Sequence, residues 1–234
     1  MKANTNHLQQ NGQALLMLLL ILGALSAYFA MQIFGNGSES TRSTIDTGVA
    51  LSEAKDALTG YVVTHSCLPC PDRTAGAGAN DGIEDRPGGA CTACSVAEGN
   101  LPWVTLGLVG LDAWGHRLHY RVDTAFTNSV ISSGGSNLAA LIVNNENGSV
   151  TPSGVPAVVL SYGKNGWGAT SSSGGQIGPP PATNINEREN TNGNNLFFAY
   201  APADSTAAGG EFDDLVTWLD ATTIHARMLQ AGLP

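Results

Sequence analysis

The sequence is poor in charged residues, and in basic residues above all. Charged side chains make up 12% of the 234 residues, and 10 Lys and Arg stand against 19 Asp and Glu, for a formal net charge of −9. Proteins that bind nucleic acid neutralise the backbone phosphates with clusters of basic residues. The composition therefore predicts that nucleic acid is not a partner.

Recognisable catalytic patterns are also missing. His65, His116, His119 and His225 show neither the spacing of a catalytic triad nor that of a metal-ligand set. No glycine-rich loop of the kind that holds phosphates leads into a helix. The sequence therefore predicts a protein that is not an enzyme.

Charge is absent from Leu8 to Ser38, and Ala14 to Phe34 is apolar apart from Ser26 and Gln32. A helix of that length rises about 31 Å, which matches the hydrocarbon core of a bilayer. The pattern predicts a transmembrane helix over residues 13–34. The alternative is a secretory signal that is cleaved near Ser26. In either case we expect the rest of the chain to be exported.

The residues before this apolar segment form a possible processing junction. Gln9-Gln10-Asn11-Gly12 followed by Gln13-Ala14-Leu15-Leu16 resembles the leader junction of type IV pilins and pseudopilins. The resemblance implies a leader over residues 1–12, cut after Gly12 by the prepilin peptidase so that Gln13 becomes the N-terminus. The family usually has Phe at the first mature position and Glu at the fifth, where this chain has Gln13 and Met17. The missing carboxylate predicts a minor or tip subunit.

A second helical pattern follows Gly35-Asn36-Gly37-Ser38, residues that predict a kink or a helix end. From Ser40 to His65, apolar residues recur every three or four positions and charged residues occupy the other side. The apolar positions are Ile45, Val49, Ala50, Leu51, Ala54, Ala57, Leu58 and Val62. Residues 35–65 are therefore predicted to be an amphipathic extension of the first helix, which would cover a sheet.

Short apolar runs separated by Gly, Pro and Asn fill the second half of the chain. Four of them read as strands: Leu118–Val122, Leu138–Val143, Val155–Tyr162 and Leu196–Tyr200. Ala169 to Asn195 is rich in Ser, Gly, Pro and Asn and predicts an exposed loop, and Thr223 to Ala231 predicts a short helix. The predicted fold class is α+β and pilin-like, with a long N-terminal transmembrane and amphipathic helix packed on a small antiparallel sheet.

Three later segments resemble those of type II secretion major pseudopilins, in the same order. They are Asp112-Ala113-Trp114-Gly115 continuing to Tyr120, Ser161-Tyr162-Gly163-Lys164-Asn165-Gly166, and Gly209-Gly210-Glu211-Phe212-Asp213-Asp214 continuing to Trp218. In that family the last two segments hold Ca²⁺. The resemblance implies that Asp213 or Asp214 supplies the carboxylate and that Asn165 stands where the family has Asp.

A second acidic cluster lies in a glycine-rich loop that includes Asp72 and Asn80. Its members Asp81, Glu84 and Asp85 form a weaker candidate metal site, since the loop lacks the regular alternation of an EF-hand.

Four cysteines form two C-x-x-C pairs, Cys67 with Cys70 and Cys91 with Cys94. In a cytosolic protein this spacing would indicate a tetrahedral zinc site. The sequence of the first pair, Cys67-Leu68-Pro69-Cys70, is also similar to the motif of thiol oxidoreductases. Export to an oxidising compartment favours two disulfides over Zn²⁺. The sequence leaves all three pairings open.

Together these patterns predict an exported pilin-like structural subunit, a minor component of a type IV pilus or type II secretion filament. A Cys-rich insert over residues 66–100 would precede a globular head over residues 101–234. The predicted localisation is the inner membrane, single-pass, with the C-terminal domain periplasmic or extracellular. The expected partners are other pilin or pseudopilin subunits, the prepilin peptidase and the inner-membrane assembly platform. The alternative is a membrane-anchored or secreted binding module that does not assemble, with structural disulfides or a metal.

Overall fold

The computed structural model describes residues 6–131, 139–145 and 154–233, with side chains of the first helix described at 15–28 and from residue 39 onward. The chain divides into two compact units, Met1–Thr44 and Ile45–Pro234. Helix α1 is Asn6–His65. It runs without a break through residues 35–38, so the predicted helix end there is wrong. The side chains around the junction of Gly12 and Gln13 lie outside the described residues.

The predicted transmembrane helix and the single-pass inner-membrane localisation need correction. Within the described part of the chain, no helix combines the length and the apolar composition needed to cross a bilayer. Of the predicted segment, the structure describes the side chains of residues 15–28.

The second half of α1 packs its apolar side into the main core of the second unit. Leu51, Ala54, Leu58 and Val62 recur at helical spacing and are buried, as the amphipathic pattern predicts. Ile45 and Val49, predicted on the same side, are instead exposed, because Thr47, which is two positions from each of them, forms the buried side of this part of the helix.

The central sheet has four antiparallel strands in the order β1-β2-β4-β6. These strands are β1 Glu98–Asn100, β2 His119–Val122, β4 Ala157–Ser161 and β6 Leu215–Leu219. One face of the sheet is covered by α1 and by α4, Ala221–Gln230, which buries Ile224 and Met228. The predicted α+β class with an antiparallel sheet is therefore confirmed, as are the strands at β2 and β4 and the C-terminal helix.

A second layer covers the other face of the central sheet. Strands β3, Ile142–Asn145, and β5, Leu196–Ala199, form a parallel pair. Their inward side chains Val143 and Phe197 join Val158, Leu160 and Tyr162 in a second buried cluster. Two short helices, α2 Trp103–Leu106 and α3 Ile185–Glu189, and a 3₁₀ turn, Thr124–Phe126, complete the described elements. Because α3 lies inside the stretch predicted as an exposed loop, that prediction is wrong at α3.

The Cys-rich insert connects the end of α1 to β1. Two disulfides, Cys67–Cys91 and Cys70–Cys94, brace it, which confirms the predicted disulfides and selects one pairing of the three. At its centre lies the buried guanidinium of Arg86, which pairs with Glu84 at 3.0 Å. The same guanidinium donates to the carbonyl oxygens of Leu68 and Thr127, at 2.7 and 2.8 Å. One arginine therefore ties the start of the insert to the segment that follows the 3₁₀ turn.

Candidate metal centre

Three carboxylates from separate parts of the chain meet beside the central sheet. Glu187 belongs to α3, and Asp213 and Asp214 immediately precede β6. One ligand oxygen from each lies within 4.8 Å of the other two. The loop after β4 borders the same place, since the backbone N–H of Asn165 donates to Asp213 Oδ2 at 3.1 Å.

The loop after β4 approaches the carboxylates closely because it contains glycine. Gly163 has a φ of +61°, in the left-handed region that glycine adopts freely. A side-chain carbon at Gly163 would collide with the Asp213 carboxylate. Only glycine therefore lets this loop reach Asp213.

Helix α3 places Glu187 through its N-terminal cap. The Asn184 side chain accepts from the Glu187 N–H at 3.3 Å, and its Nδ2 donates back to Glu187 Oε2 at 3.0 Å. This reciprocal pattern resembles a capping box, with the acid three residues after the cap. Glu187 Oε1 also accepts from the Asp213 N–H at 2.9 Å, and Asn165 Nδ2 donates to both Glu187 oxygens at 3.1 Å. The buried carboxylate is therefore held in one orientation.

The other end of α3 fixes Asp214. The buried Asn190 follows the helix, and its Nδ2 donates to Asp214 Oδ2 at 2.8 Å. The same side-chain amide pairs with the backbone of Phe198 in β5, accepting at 2.7 Å and donating at 3.0 Å. Asn190 thus links the carboxylates to the second sheet.

Burial raises the pKa of each of the three acids. The pKa of Glu187 rises to about 7, mainly because the carboxylate is removed from water, and the charges of Asp213 and Glu211 add to the rise. Burial also raises the pKa of Asp213, and it raises that of Asp214 well above its ordinary value. The structure therefore makes it costly for all three acids to be ionised together.

The cluster has no positive partner among the described residues. None of its carboxylates forms an ion pair with Lys, Arg or His in the parts of the chain that the structure describes. Asp213 Oδ1 is buried and accepts no hydrogen bond there. An unpartnered buried oxygen beside two other carboxylates fits a bound cation. Because every donor is an oxygen, the set suits Ca²⁺ and not Zn²⁺, which prefers nitrogen and sulfur.

The structure brings together the three residues predicted for this site and adds one that was missed. Asn165, Asp213 and Asp214 lie beside Glu187, although Asn165 acts here as a donor to the carboxylates. Glu187 was missed because its segment was taken for an exposed loop. The signal was present, since Asn184-Ile185-Asn186-Glu187 has the spacing of a helix cap followed by its acid.

The weaker candidate site in the insert is arranged differently. Glu84 pairs with Arg86, Asp85 pairs with Arg73 at 2.8 Å, and Asp81 accepts from the Ile83 N–H. These acids do not form a metal-sized group in the described part of the chain. Their hydrogen bonds and ion pairs hold the loop in shape.

Asp112 connects the other two motif segments without forming a catalytic arrangement. Its Oδ1 accepts from the N–H groups of Trp114 and His116, and Ser161 Oγ donates to its Oδ2 at 2.6 Å. Ser161 is fully buried and its hydroxyl bonds to the carboxylate, whereas a nucleophilic serine is exposed and bonds to a histidine. The Asp112 and Ser161 side chains therefore join the turn before β2 to the end of β4.

Comparison with protein families, with curated proteins and with solved structures finds no match to this chain. The likeness to pilins and pseudopilins therefore rests on the motif segments themselves, and the function is inferred from the residues and their contacts.

Proposed function

We propose that this chain is an exported, pilin-like structural subunit, a minor component of a type IV pilus or type II secretion filament. The observation that carries the proposal is the apolar surface of α1 at residues 15–28. Its large apolar side chains are 48–66% exposed, and they occupy eight consecutive positions from Leu15 to Leu22. Eight consecutive apolar residues cover every side of a helix. A single partner would cover only one side, so we assign this segment to a bundle of like helices from other subunits.

The globular unit supports export and a structural role. Its two disulfides are of the kind that persist in oxidising compartments. The second half of α1 packs against the antiparallel sheet. The helix that contains the apolar segment is therefore also part of the globular unit. The three carboxylates would bind Ca²⁺ as a structural ion that holds the loop after β4, α3 and the approach to β6 together. The partners are other pilin or pseudopilin subunits and the prepilin peptidase.

A charge in the apolar segment should prevent assembly. We expect Leu19→Glu to abolish the association of the mature chain, because the carboxylate would have to be buried without a partner between neighbouring helices. Sedimentation velocity of the wild type and the variant measures this. Leu229→Glu is the matched control, because Leu229 on α4 is 61% exposed and Leu19 is 60% exposed. A wild-type chain that stays monomeric would favour a binding module that does not assemble.

Processing at the junction provides a separate test. We expect the mature protein to begin at Gln13, and Gly12→Leu to leave the precursor uncut, because a peptidase that cuts after glycine must accommodate that residue closely. The mass of the native N-terminus measures both. A mature chain that begins after Ser26 would indicate a cleaved secretory signal instead.

A further inference from the structure

The two disulfides of the insert have different surroundings. Cys70 and Cys94 lie between segments that are held independently of their bridge. The Cys70 N–H donates to Glu84 Oε2 at 2.9 Å, and the N–H of Ser95, next to Cys94, donates to the Asp85 carbonyl at 3.0 Å. The Arg86 guanidinium holds Glu84 in turn. This part of the insert would keep its arrangement with or without the Cys70–Cys94 bond.

The Cys67–Cys91 bond instead closes an exposed turn that has few other contacts. Residues 87–90 are all exposed. No backbone hydrogen bond ties residues 87–91 to any other segment among the residues that the structure describes. The adjacent contacts are a hydrogen bond from Arg86 to the Thr92 carbonyl and a local one from Thr92 Oγ1 to the Gly89 carbonyl. The turn is therefore tied down chiefly by its disulfide.

The backbone of Cys91 is strained. Its φ is +56°, a left-handed conformation that costs a residue with a Cβ about 1 kcal/mol. Cys94 has no such strain, although Cys91 and Cys94 are both partly exposed. Opening the bridge at Cys91 would let the turn relax, whereas opening the bridge at Cys94 would relieve nothing comparable. Strain of this kind favours reduction.

We infer that Cys67–Cys91 is a reducible latch on the turn 87–91, whereas Cys70–Cys94 is a permanent structural bridge. The reaction partner is a dithiol, either a small molecule or a thiol–disulfide oxidoreductase. Its thiolate attacks Cys91 Sγ, which is partly exposed, and Cys67, which is 1% exposed, leaves as the thiolate. The second thiol of the reductant then displaces Cys91 and closes the reductant's own disulfide. The two electrons and two protons of the dithiol end on Cys67 and Cys91.

Opening the latch should leave the rest of the fold in place. The backbone beside Cys67 is held by two hydrogen bonds, from the Leu68 N–H to the Phe126 carbonyl at 2.8 Å and from the Ile131 N–H to the Ser66 carbonyl at 2.7 Å. Neither of them involves the turn 87–91. Reduction therefore frees the turn and exposes one new thiol at Cys91 while the core stays packed.

The order of reduction tests the inference. The folded chain is treated with increasing dithiothreitol and the exchange is quenched with acid. The chain is then unfolded in denaturant so that the buried Cys67 is accessible, the free thiols are trapped with N-ethylmaleimide, and the labelled cysteines are identified by peptide mass spectrometry. We expect Cys67 and Cys91 to be labelled at a dithiothreitol concentration at least about tenfold lower than Cys70 and Cys94. The difference should vanish in denaturant. Simultaneous labelling of all four cysteines in the folded chain, or the reverse order, would overturn the inference.

A variant that lacks the latch provides the second measurement. The double substitution Cys67→Ser with Cys91→Ser should keep the near-ultraviolet circular dichroism of the wild type and a closed Cys70–Cys94 bridge. A variant that loses its tertiary signal would show that the first bridge is structural, and would also overturn the inference.

Discussion

Replacing Arg86 with alanine should lower the free energy of unfolding by about 3–5 kcal/mol, the cost of breaking a buried ion pair by removing one partner. The Arg86 side chain is 5% exposed, and it is the cationic partner of Glu84 at 3.0 Å. Glu84 also accepts from Tyr61 Oη at 2.7 Å and from the Cys70 N–H, so its charge would stay enclosed without its cation. The carbonyl oxygens of Leu68 and Thr127 would lose their donor as well.

Urea unfolding under oxidising conditions measures this loss, and Arg73→Ala is its control. Arg73 pairs with Asp85 in the same insert, at 2.8 Å, but its side chain is 30% exposed. Pairs near the surface contribute about 0–1 kcal/mol. We therefore expect a difference of at least 2 kcal/mol between the two variants, on the order of the gap between those two classes of ion pair. Equal losses would mean that burial of Arg86 contributes nothing.

The parts of the fold that a periodic pattern specifies could be predicted from the sequence. The buried stripe of α1 from Leu51 to Val62 follows the helical period, and β4 is a run of apolar residues that ends at Ser161. Strand β1 has only three residues, Glu98–Asn100, which carry no apolar pattern, and it pairs through its backbone with β2. A strand of that kind is decided by its neighbours, so the sequence alone did not reveal it.

The candidate metal centre also combines residues that could be predicted from the sequence with one that could not. The motif segments around Asn165 and Asp213 were found because each is continuous in the sequence. Glu187 reaches them across 22 residues from Asn165, through a helix of only five residues. Its pattern is a cap and an acid without an apolar stripe, so periodicity could not distinguish it from a loop. The prediction of a membrane span is wrong for a different reason, since no helix in the described part of the chain is both long enough and apolar enough to cross a bilayer.

Glu187→Gln should remove part of the pH dependence of stability in the absence of calcium. The pKa of Glu187 is raised from 4.5 to about 7 in the folded chain. Between these values the folded state binds more protons than the unfolded state, so stability is greatest at low pH and falls as the pH rises through 4.5 to 7. The loss attributable to Glu187 is about 1–3 kcal/mol, because its ionisation is coupled to that of Asp213 and solvent screens part of the cost. Asp72, whose pKa burial raises to about 6, acts in the same direction, as do Asp213 and Asp214, and all three remain in both proteins.

Urea unfolding at pH 5 and pH 7.5 in EDTA should therefore show a smaller decrease for Glu187→Gln than for the wild type. Glu189→Gln is the control, because Glu189 lies two residues away and accepts a surface hydrogen bond from Asn194. A variant at Glu187 with the wild-type decrease would show that this carboxyl is not destabilised by its surroundings.

Calcium should reverse the decrease in stability that the wild type shows at pH 7.5, because a cation offsets the repulsion among the ionised carboxylates. With Ca²⁺ at about a hundred times its dissociation constant, mass action adds about 2.7 kcal/mol, or roughly 5–10 °C in the melting temperature. Glu187→Gln should lose most of this increase and Glu189→Gln should keep it, as differential scanning calorimetry at pH 7.5 can measure. A wild-type chain that does not respond to calcium would rule out the proposed ion without affecting the proposed assembly of α1. The ion and the helix bundle depend on different residues, so each can fail separately.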